Sequence, residues 1–313
     1  MQPALSIIFF TVVSGAGLGL FIVLSVAGLF GRPQTEAALL ACAAGLVLTT
    51  LGLVSSTLHL ANPKNAWRAF SRFKTSWLAR EAVLAIVFYP LALAYTALWW
   101  TRGNALDNPV WVAVSLLIGL IALATVFSTG MIYACLKTIR QWHTPLTPVN
   151  YVVLALMTGH LLMLALQDLA GGPVSAYEME IALGLLAAGA LVKLAYYAWI
   201  APPQGPTINT ATGFTRANVR LLDVGHGAGT FLTEEFGFQL ARERRVLLRW
   251  CVFLLGFALP ALLMLGGLAQ ALAVRPAALS ALALALAGIF IERWLFFAEA
   301  QHVVNLYHGR RQT

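Results

Sequence analysis

The chain has 313 residues, of which 60% are apolar and only 10% charged, and it carries a net charge of +8. Soluble domains carry about 25% charged residues, and a chain this apolar has too little polar surface to cover itself in water. These numbers argue against a soluble enzyme, a nucleic-acid binder and a disordered chain, and they point to a membrane protein.

A helix needs roughly 20 apolar residues to cross a bilayer core. Eight runs qualify, at about 6–30, 37–61, 82–101, 110–135, 149–170, 178–201, 246–272 and 277–298. The expected fold is therefore an all-α integral membrane protein forming one transmembrane domain of eight helices. The first run lacks the basic flank of a signal peptide and is too long for one, so it reads as a spanning helix. Breakers separate the runs: Gly31-Arg32-Pro33, Asn62-Pro63, Asn108-Pro109, Pro145 with Pro148, Gly171-Gly172-Pro173, Pro202-Pro203 and Arg275-Pro276. Pro90 and Pro260 fall inside helices three and seven and are expected to kink them. Gly15 and Gly19 form a GxxxG spacing in helix one, a weak sign of close helix contact.

Eight spans put both termini on one side. Of the 20 Lys and Arg residues, 15 then fall on the terminal side and three, Arg32, Arg102 and Arg275, on the other. Lys193 and Arg293 lie within helices. This bias places both termini and the large loops in the cytoplasm. Trp99, Trp100 and Trp111 are expected at one membrane interface, and Trp142, Tyr151, Tyr196, Tyr197 and Trp199 at the other. The three cysteines, Cys42, Cys135 and Cys251, sit singly in apolar runs and read as small buried hydrophobes. The longest polar segment, 202–245, is too short for a catalytic domain. Its Val224-Gly225-His226-Gly227-Ala228-Gly229 stretch fits no phosphate-binding pattern, so the segment reads as a loop for docking a partner.

Ionisable residues inside a membrane are costly and commonly functional. His59 falls near the end of helix two, Glu81 at the opening of helix three, Lys193 inside helix six, and Glu292 and Arg293 inside helix eight. All lie toward the terminal side, within roughly 12 Å of it at 1.5 Å per residue. A histidine with a carboxylate suits a quinone headgroup, which needs hydrogen-bond partners at its carbonyls and a proton route to water. A structural reading stands beside this one. In it, Glu81 caps a helix and pairs with Arg80 or Lys74, Lys193 pairs with Glu292, and Arg293 snorkels. His160 lies near mid-membrane with no second histidine at its depth, so a bis-histidine haem is not expected. No metalloprotease, serine-hydrolase or metal-carboxylate motif is present. A secondary transporter is the reading from another class, kept open by Pro90 and Pro260. The one-sided placement of the ionisable residues argues against it.

The stretch Leu58-His59-Leu60-Ala61-Asn62-Pro63-Lys64-Asn65-Ala66-Trp67-Arg68-Ala69-Phe70, with Ser76-Trp77-Leu78-Ala79-Arg80-Glu81, resembles the DMSO reductase membrane-anchor family. So does the tail Glu292-Arg293-Trp294-Leu295-Phe296-Phe297-Ala298-Glu299-Ala300 with His302-Val303-Val304-Asn305-Leu306-Tyr307. Overall length and span number match as well. The resemblance implies a non-catalytic anchor in the bacterial inner membrane. Such an anchor exchanges electrons with ubiquinone or menaquinone and binds no haem. It holds an iron–sulfur subunit and a molybdopterin catalytic subunit, which carry the clusters and the molybdenum. The family's quinol-site histidine and glutamate match His59 and Glu81. Trp77 and Arg80 stand beside them in the same motif, and Lys193, Glu292 and Arg293 would shape the pocket wall. Arg68, Arg72 and Lys74 would meet the partner. Relatives include S-oxide and N-oxide reductases and the membrane subunit of cytoplasmic sulfite dehydrogenase. A cytoplasmic docking face favours quinone reduction coupled to sulfite oxidation, with a quinol-oxidising S-oxide reductase anchor as the alternative.

Overall fold

A computed structural model describes residues 3–31, 33–58, 63–202, 205–214, 216–223 and 244–308. Among them, eight helices are long and apolar enough to cross a membrane. They are α1 (Leu5–Leu29), α2 (Thr35–Thr57), α3 (Trp77–Arg102), α4 (Pro109–Ala134), α5 (Leu146–Leu169), α6 (Ala176–Ile200), α8 (Arg245–Leu268) and α9 (Val274–Ala298). A short helix α7 (Ile208–Thr212) lies between α6 and α8. Turns of 3-10 helix cover Pro63–Arg72 and Val303–His308.

Local chemistry sets the helix starts. Ser76 accepts a hydrogen bond from the Ala79 amide, so α3 begins at Trp77, five residues before the expected 82. Glu81 is thereby one turn inside the helix instead of at its opening. Asn108 caps α4 by accepting from the Val110 and Trp111 amides at 2.9 and 3.4 Å, with Pro109 at the first helical position. Ser175 and Glu178 form a reciprocal capping box on α6. Pro148 fits in the first turn of α5, which starts at Leu146. In α8, Pro260 has no N–H for the carbonyl of Gly256. The helix loosens into a π-turn over Leu254–Ala258 just before it. Pro90 is carried within an unbroken α3.

Two helices form the centre. In α1, 72% of the apolar stretch is buried, and in α5 67%, against 28–39% in the other six. Around α1 pack α2 and α4, with α3 closing that group against α4. Around α5 pack α6 and α9, with α8 closing the second group against α9 and α6. The α1–α5 contact is the seam between the two groups. It is tight because a Cβ on Gly19 would stand 1.9 Å from the Ala155 carbonyl oxygen, and one on Gly159 would stand 2.2 Å from the Gly19 carbonyl carbon. Gly15 touches nothing in this way. Of the GxxxG pair, only Gly19 makes a close helix contact.

The aromatic residues expected at the interfaces are mostly internal. Trp99 and Trp111 are wholly buried and pack edge to face at 5.4 Å, with Tyr95 beside them. Trp142, Tyr151, Tyr196 and Tyr197 are also buried, and only Trp100 and Trp199 of the expected set are exposed. Burial of these rings fills the ends of the bundle, where large flat side chains contribute most area. Cys42 is buried, Cys251 half-buried and Cys135 exposed, so only the first matches its expected setting fully.

The segment after α9 is fastened to the α4–α5 connection. Val303 donates to the Thr138 carbonyl at 3.1 Å, Gln301 to Gln141 Oε1 at 3.1 Å, and the Trp142 indole to the Phe296 carbonyl at 2.9 Å.

Candidate functional site

Glu81 lies four residues after the start of α3, Thr129 five before the end of α4, and Tyr151 five after the start of α5. Lys193 lies seven before the end of α6, and Glu292 six before the end of α9. All these helix ends belong to the face where α1 begins. At 1.5 Å per residue the five residues form one layer roughly 6–11 Å below it.

The first half of the layer sits between α3 and α4. Trp77 and Glu81 are four residues apart and share one helix face. Trp77 packs edge to face on Phe127 at 6.0 Å. Glu81 is buried and accepts the hydroxyl hydrogen of Thr129. It makes no ion pair with Arg80 or Lys74 among the described residues. Arg80 instead turns outward. Its guanidinium lies 4.1 Å from the Trp77 ring centre and donates to the Phe73 and Lys74 carbonyls at 3.0 and 2.8 Å. It braces the loop that precedes α3. Along that loop Arg68, Arg72 and Lys74 are exposed, interleaved with exposed Trp67, Phe70 and Phe73. His59 lies outside the described residues, as do 224–243, a large part of the expected docking loop.

The second half sits between α6 and α9. Lys193 and Glu292 form an ion pair, and Arg293 Nε stands 2.7 Å from the other Glu292 oxygen. All three side chains are 3% exposed or less. Arg293 therefore does not snorkel. Its guanidinium lies 4.0 Å from the Tyr151 ring centre, and Lys193 Nζ lies 4.2 Å from that of Tyr196. Aromatic faces stabilise both cations away from bulk solvent. Outside this trio, Arg249 on α8 bonds Glu299 at 3.0 Å and stacks on Tyr197 at 4.4 Å. An aromatic cluster of Tyr133, Tyr151, Trp142, Phe296 and Phe297 joins the two halves.

The sequence singles out Glu81, Trp77, Lys193, Glu292 and Arg293, and the structure brings them into one layer as two separate groups. It does not single out Thr129, Tyr133, Arg249 or Glu299. A threonine in a spanning helix has no distinctive pattern. The pairing of Arg249 with Glu299 joins residues 50 positions apart. His160 belongs to neither group. Its Nε2 stands 2.8 Å from the Glu178 carbonyl and ties α5 to the first turn of α6.

Comparison with known proteins bears on this arrangement. A family model described as "DMSO reductase anchor subunit (DmsC)" matches residues 1–298. A sulfite dehydrogenase subunit of Allochromatium vinosum is 33% identical over 98% of this protein and 99% of its own length. A subunit of the anaerobic dimethyl sulfoxide reductase of Escherichia coli is 28% identical over 58% of this protein and 63% of its own length. Eight membrane-length helices and a match over nearly the whole sequence lead to one assignment: the protein belongs to the DMSO reductase anchor subunit family.

Proposed function

We propose that this protein is the quinone-reactive anchor of a three-subunit molybdenum oxidoreductase. It passes electrons from an iron–sulfur partner to the quinone pool, coupled to sulfite oxidation on a molybdopterin subunit. The observation that carries the reading is the near end-to-end similarity to a subunit of a sulfite dehydrogenase. The similarity to the dimethyl sulfoxide reductase subunit extends over a smaller share of the sequence.

The site chemistry agrees with the role. Reduction of a quinone takes up two electrons and two protons. Glu81 stands within a turn of the membrane surface, close enough to exchange protons with water, and Thr129 holds its carboxyl in place. Phe127 is exposed toward lipid beside Trp77, which gives a flat headgroup an apolar edge to enter by. His59, 22 positions before Glu81 in the sequence, supplies the second hydrogen-bond partner. Trp77 lines the entrance. Lys193, Glu292 and Arg293 form the far wall and fix the field around the site.

The exposed loop is the docking surface. Arg68, Arg72 and Lys74 offer positive charge, and Trp67, Phe70 and Phe73 offer apolar contact area. An acidic partner surface meets both needs. Segment 202–245, on the same side of the membrane by the count of spans, docks the partner as well. With 15 of 20 basic residues on this side, the docking face and both termini lie in the cytoplasm of a bacterial inner membrane.

The test is purification of the tagged protein in mild detergent, with mass and metal analysis of what accompanies it. Two partners with molybdenum and non-haem iron, and sulfite-dependent quinone reduction, are expected. Quinol-dependent S-oxide reduction without sulfite oxidation would move the protein to the reductase branch. A lone, metal-free polypeptide that drives solute uptake in liposomes would overturn the anchor reading. In the complex, His59→Ala is expected to abolish quinone-linked turnover and to leave dye-linked activity intact.

A further inference from the structure

The two halves of the buried polar layer meet at a cavity on the seam between the helix groups. It measures about 20 Å³ and is walled by α1, α4, α5 and α9. One water needs roughly 10–15 Å³ of such space and two to four polar partners. The partners are present. Thr129, which bonds Glu81, lines one side, and Tyr151 and Arg293 line the other. Tyr151 Oη and Arg293 Nη1 are both buried and belong to neighbouring side chains, and neither atom makes a hydrogen bond of full geometry among the described residues. Thr11, Ser14 and Thr158 also face the cavity. Their hydroxyl hydrogens are committed to the Ile8, Phe10 and Leu154 carbonyls, at 3.0, 2.6 and 2.9 Å, which leaves oxygen lone pairs free to accept. A water there meets both donors and acceptors in the cavity lining.

Charge counting gives this link a purpose. Lys193, Glu292 and Arg293 bring two cations and one anion into the bundle, all but sealed from solvent. An unbalanced charge in hydrocarbon is expensive. Glu299 is engaged by Arg249. Among the described residues, the buried carboxyl left to balance the trio is Glu81, which reaches the cavity through Thr129. Arg293 cannot give up a proton, so the link carries charge compensation across the seam and not a proton.

We propose that one bound water in this cavity, held by Thr129, Tyr151 and Arg293, joins Glu81 to the Lys193–Glu292–Arg293 trio as one charge-balanced unit spanning both helix groups. The existence of the unit is independent of quinone. Its use, to compensate the carboxylate left when Glu81 gives its proton to a bound quinone, rests on the function proposed above.

The experiment uses the purified complex in lipid nanodiscs. A cryo-electron microscopy map fine enough to show waters is expected to place one within hydrogen-bond distance of Thr129 Oγ1, Tyr151 Oη and Arg293 Nη1. A dry cavity overturns the proposal. Gly15→Ala adds a methyl on the cavity wall, where a Cβ meets no atom within 4 Å, and is expected to expel the water without disturbing the fold. Infrared spectroscopy then reads the link. The carboxyl band lost in Glu81→Gln identifies Glu81. That band is expected to move when Arg293→Gln is made in the wild-type background and to move no further when it is made in the Gly15→Ala background. An equal displacement in both backgrounds overturns the role of the water. Where Arg293→Gln fails to assemble, Gly15→Ala alone decides: it must displace the Glu81 band, and an unmoved band overturns the proposal. None of these readings depends on quinone turnover, so their failure is separate from failure of the quinone site.

Discussion

Lys193 on α6 and Glu292 on α9 meet as an ion pair with 1% and 0% of their side chains exposed. Glu292 also holds Arg293, so one carboxylate serves two cations. Breaking a buried pair by removing one partner costs about 3–5 kcal/mol. Glu292→Gln is expected to be the more damaging change, because it leaves two buried cations facing each other. Lys193→Met leaves the Glu292–Arg293 pair intact, and Glu81 can restore the balance by holding a proton, so it is expected to be the milder change. The yield of monodisperse protein after detergent extraction, with its thermal midpoint, measures the difference. Equal loss in both variants would show that the Lys193–Glu292 pair alone sets the cost, and not the sharing of Glu292 between two cations.

Glu81 and Thr129 give a prediction for chemistry. A positioned acid–base group contributes typically 100-fold or more to a proton-linked step. Glu81→Gln is expected to slow quinone-linked turnover by about 100-fold with assembly intact. Thr129→Val removes one hydrogen bond and is expected to have a smaller effect in the same direction. Turnover with quinone against turnover with an artificial dye separates the two steps. Loss of the whole complex in Glu81→Gln would show a structural role instead.

The seam between α1 and α5 predicts opposite outcomes for two glycines in one motif. A side chain at Gly19 meets the backbone of Ala155 at 1.9 Å, which cannot move aside. Gly19→Val is expected to abolish folded protein, and Gly15→Ala to leave its amount unchanged. Membrane-fraction yield and chromatographic profile decide the comparison.

Arg80 predicts a docking defect without a chemical one. Its bonds to the Phe73 and Lys74 carbonyls fix the basic loop, and a hydrogen bond to a charged group is worth about 1.5–3 kcal/mol. Arg80→Ala is expected to weaken partner retention. Lysine is expected not to rescue it, since a point charge cannot reproduce the forked contacts or the stacking on Trp77. Co-purification of the partner across a salt series provides the measure. Unchanged retention would release the loop from that role.

His302 lies beyond α9 and accepts the Val304 amide hydrogen at Nδ1, 3.0 Å away. Partial burial holds its pKa below the ordinary 6.5. A depressed value means its contribution is complete above 6.5 and is lost as the pH falls through the lower folded value. The segment Val303–His308 is therefore expected to lose amide-exchange protection under acid conditions, and His302→Gln to remove that pH dependence. Protection that stayed constant below pH 6.5 would refute the assignment.

Parts of this site are legible in the sequence for physical reasons. A charge within a spanning run is expensive enough to stand out in an apolar background. Lys193, Glu292 and Arg293 are visible for that cause. The pairing of Lys193 with Glu292 follows from depth alone, since two opposite charges at one level in hydrocarbon seek each other. Arg293 is different. Its position near a helix end suits snorkelling, and only the ring of Tyr151 and the second oxygen of Glu292 hold it inside. Tyr151 and Trp142 read as interface anchors by position, whereas packing against Phe296 makes them core.

The sequence by itself determined the number of spans, their order, and the one-sided placement of ionisable side chains. Those follow from hydrocarbon thickness and the cost of charge, which act on each segment alone. Tertiary structure decided which helices are central, that Glu81 bonds Thr129 and not Arg80, and that two polar groups from separate helix clusters face one cavity. Those depend on contacts between residues far apart in the sequence, such as Gly19 against Ala155. No local pattern encodes how closely two helices approach.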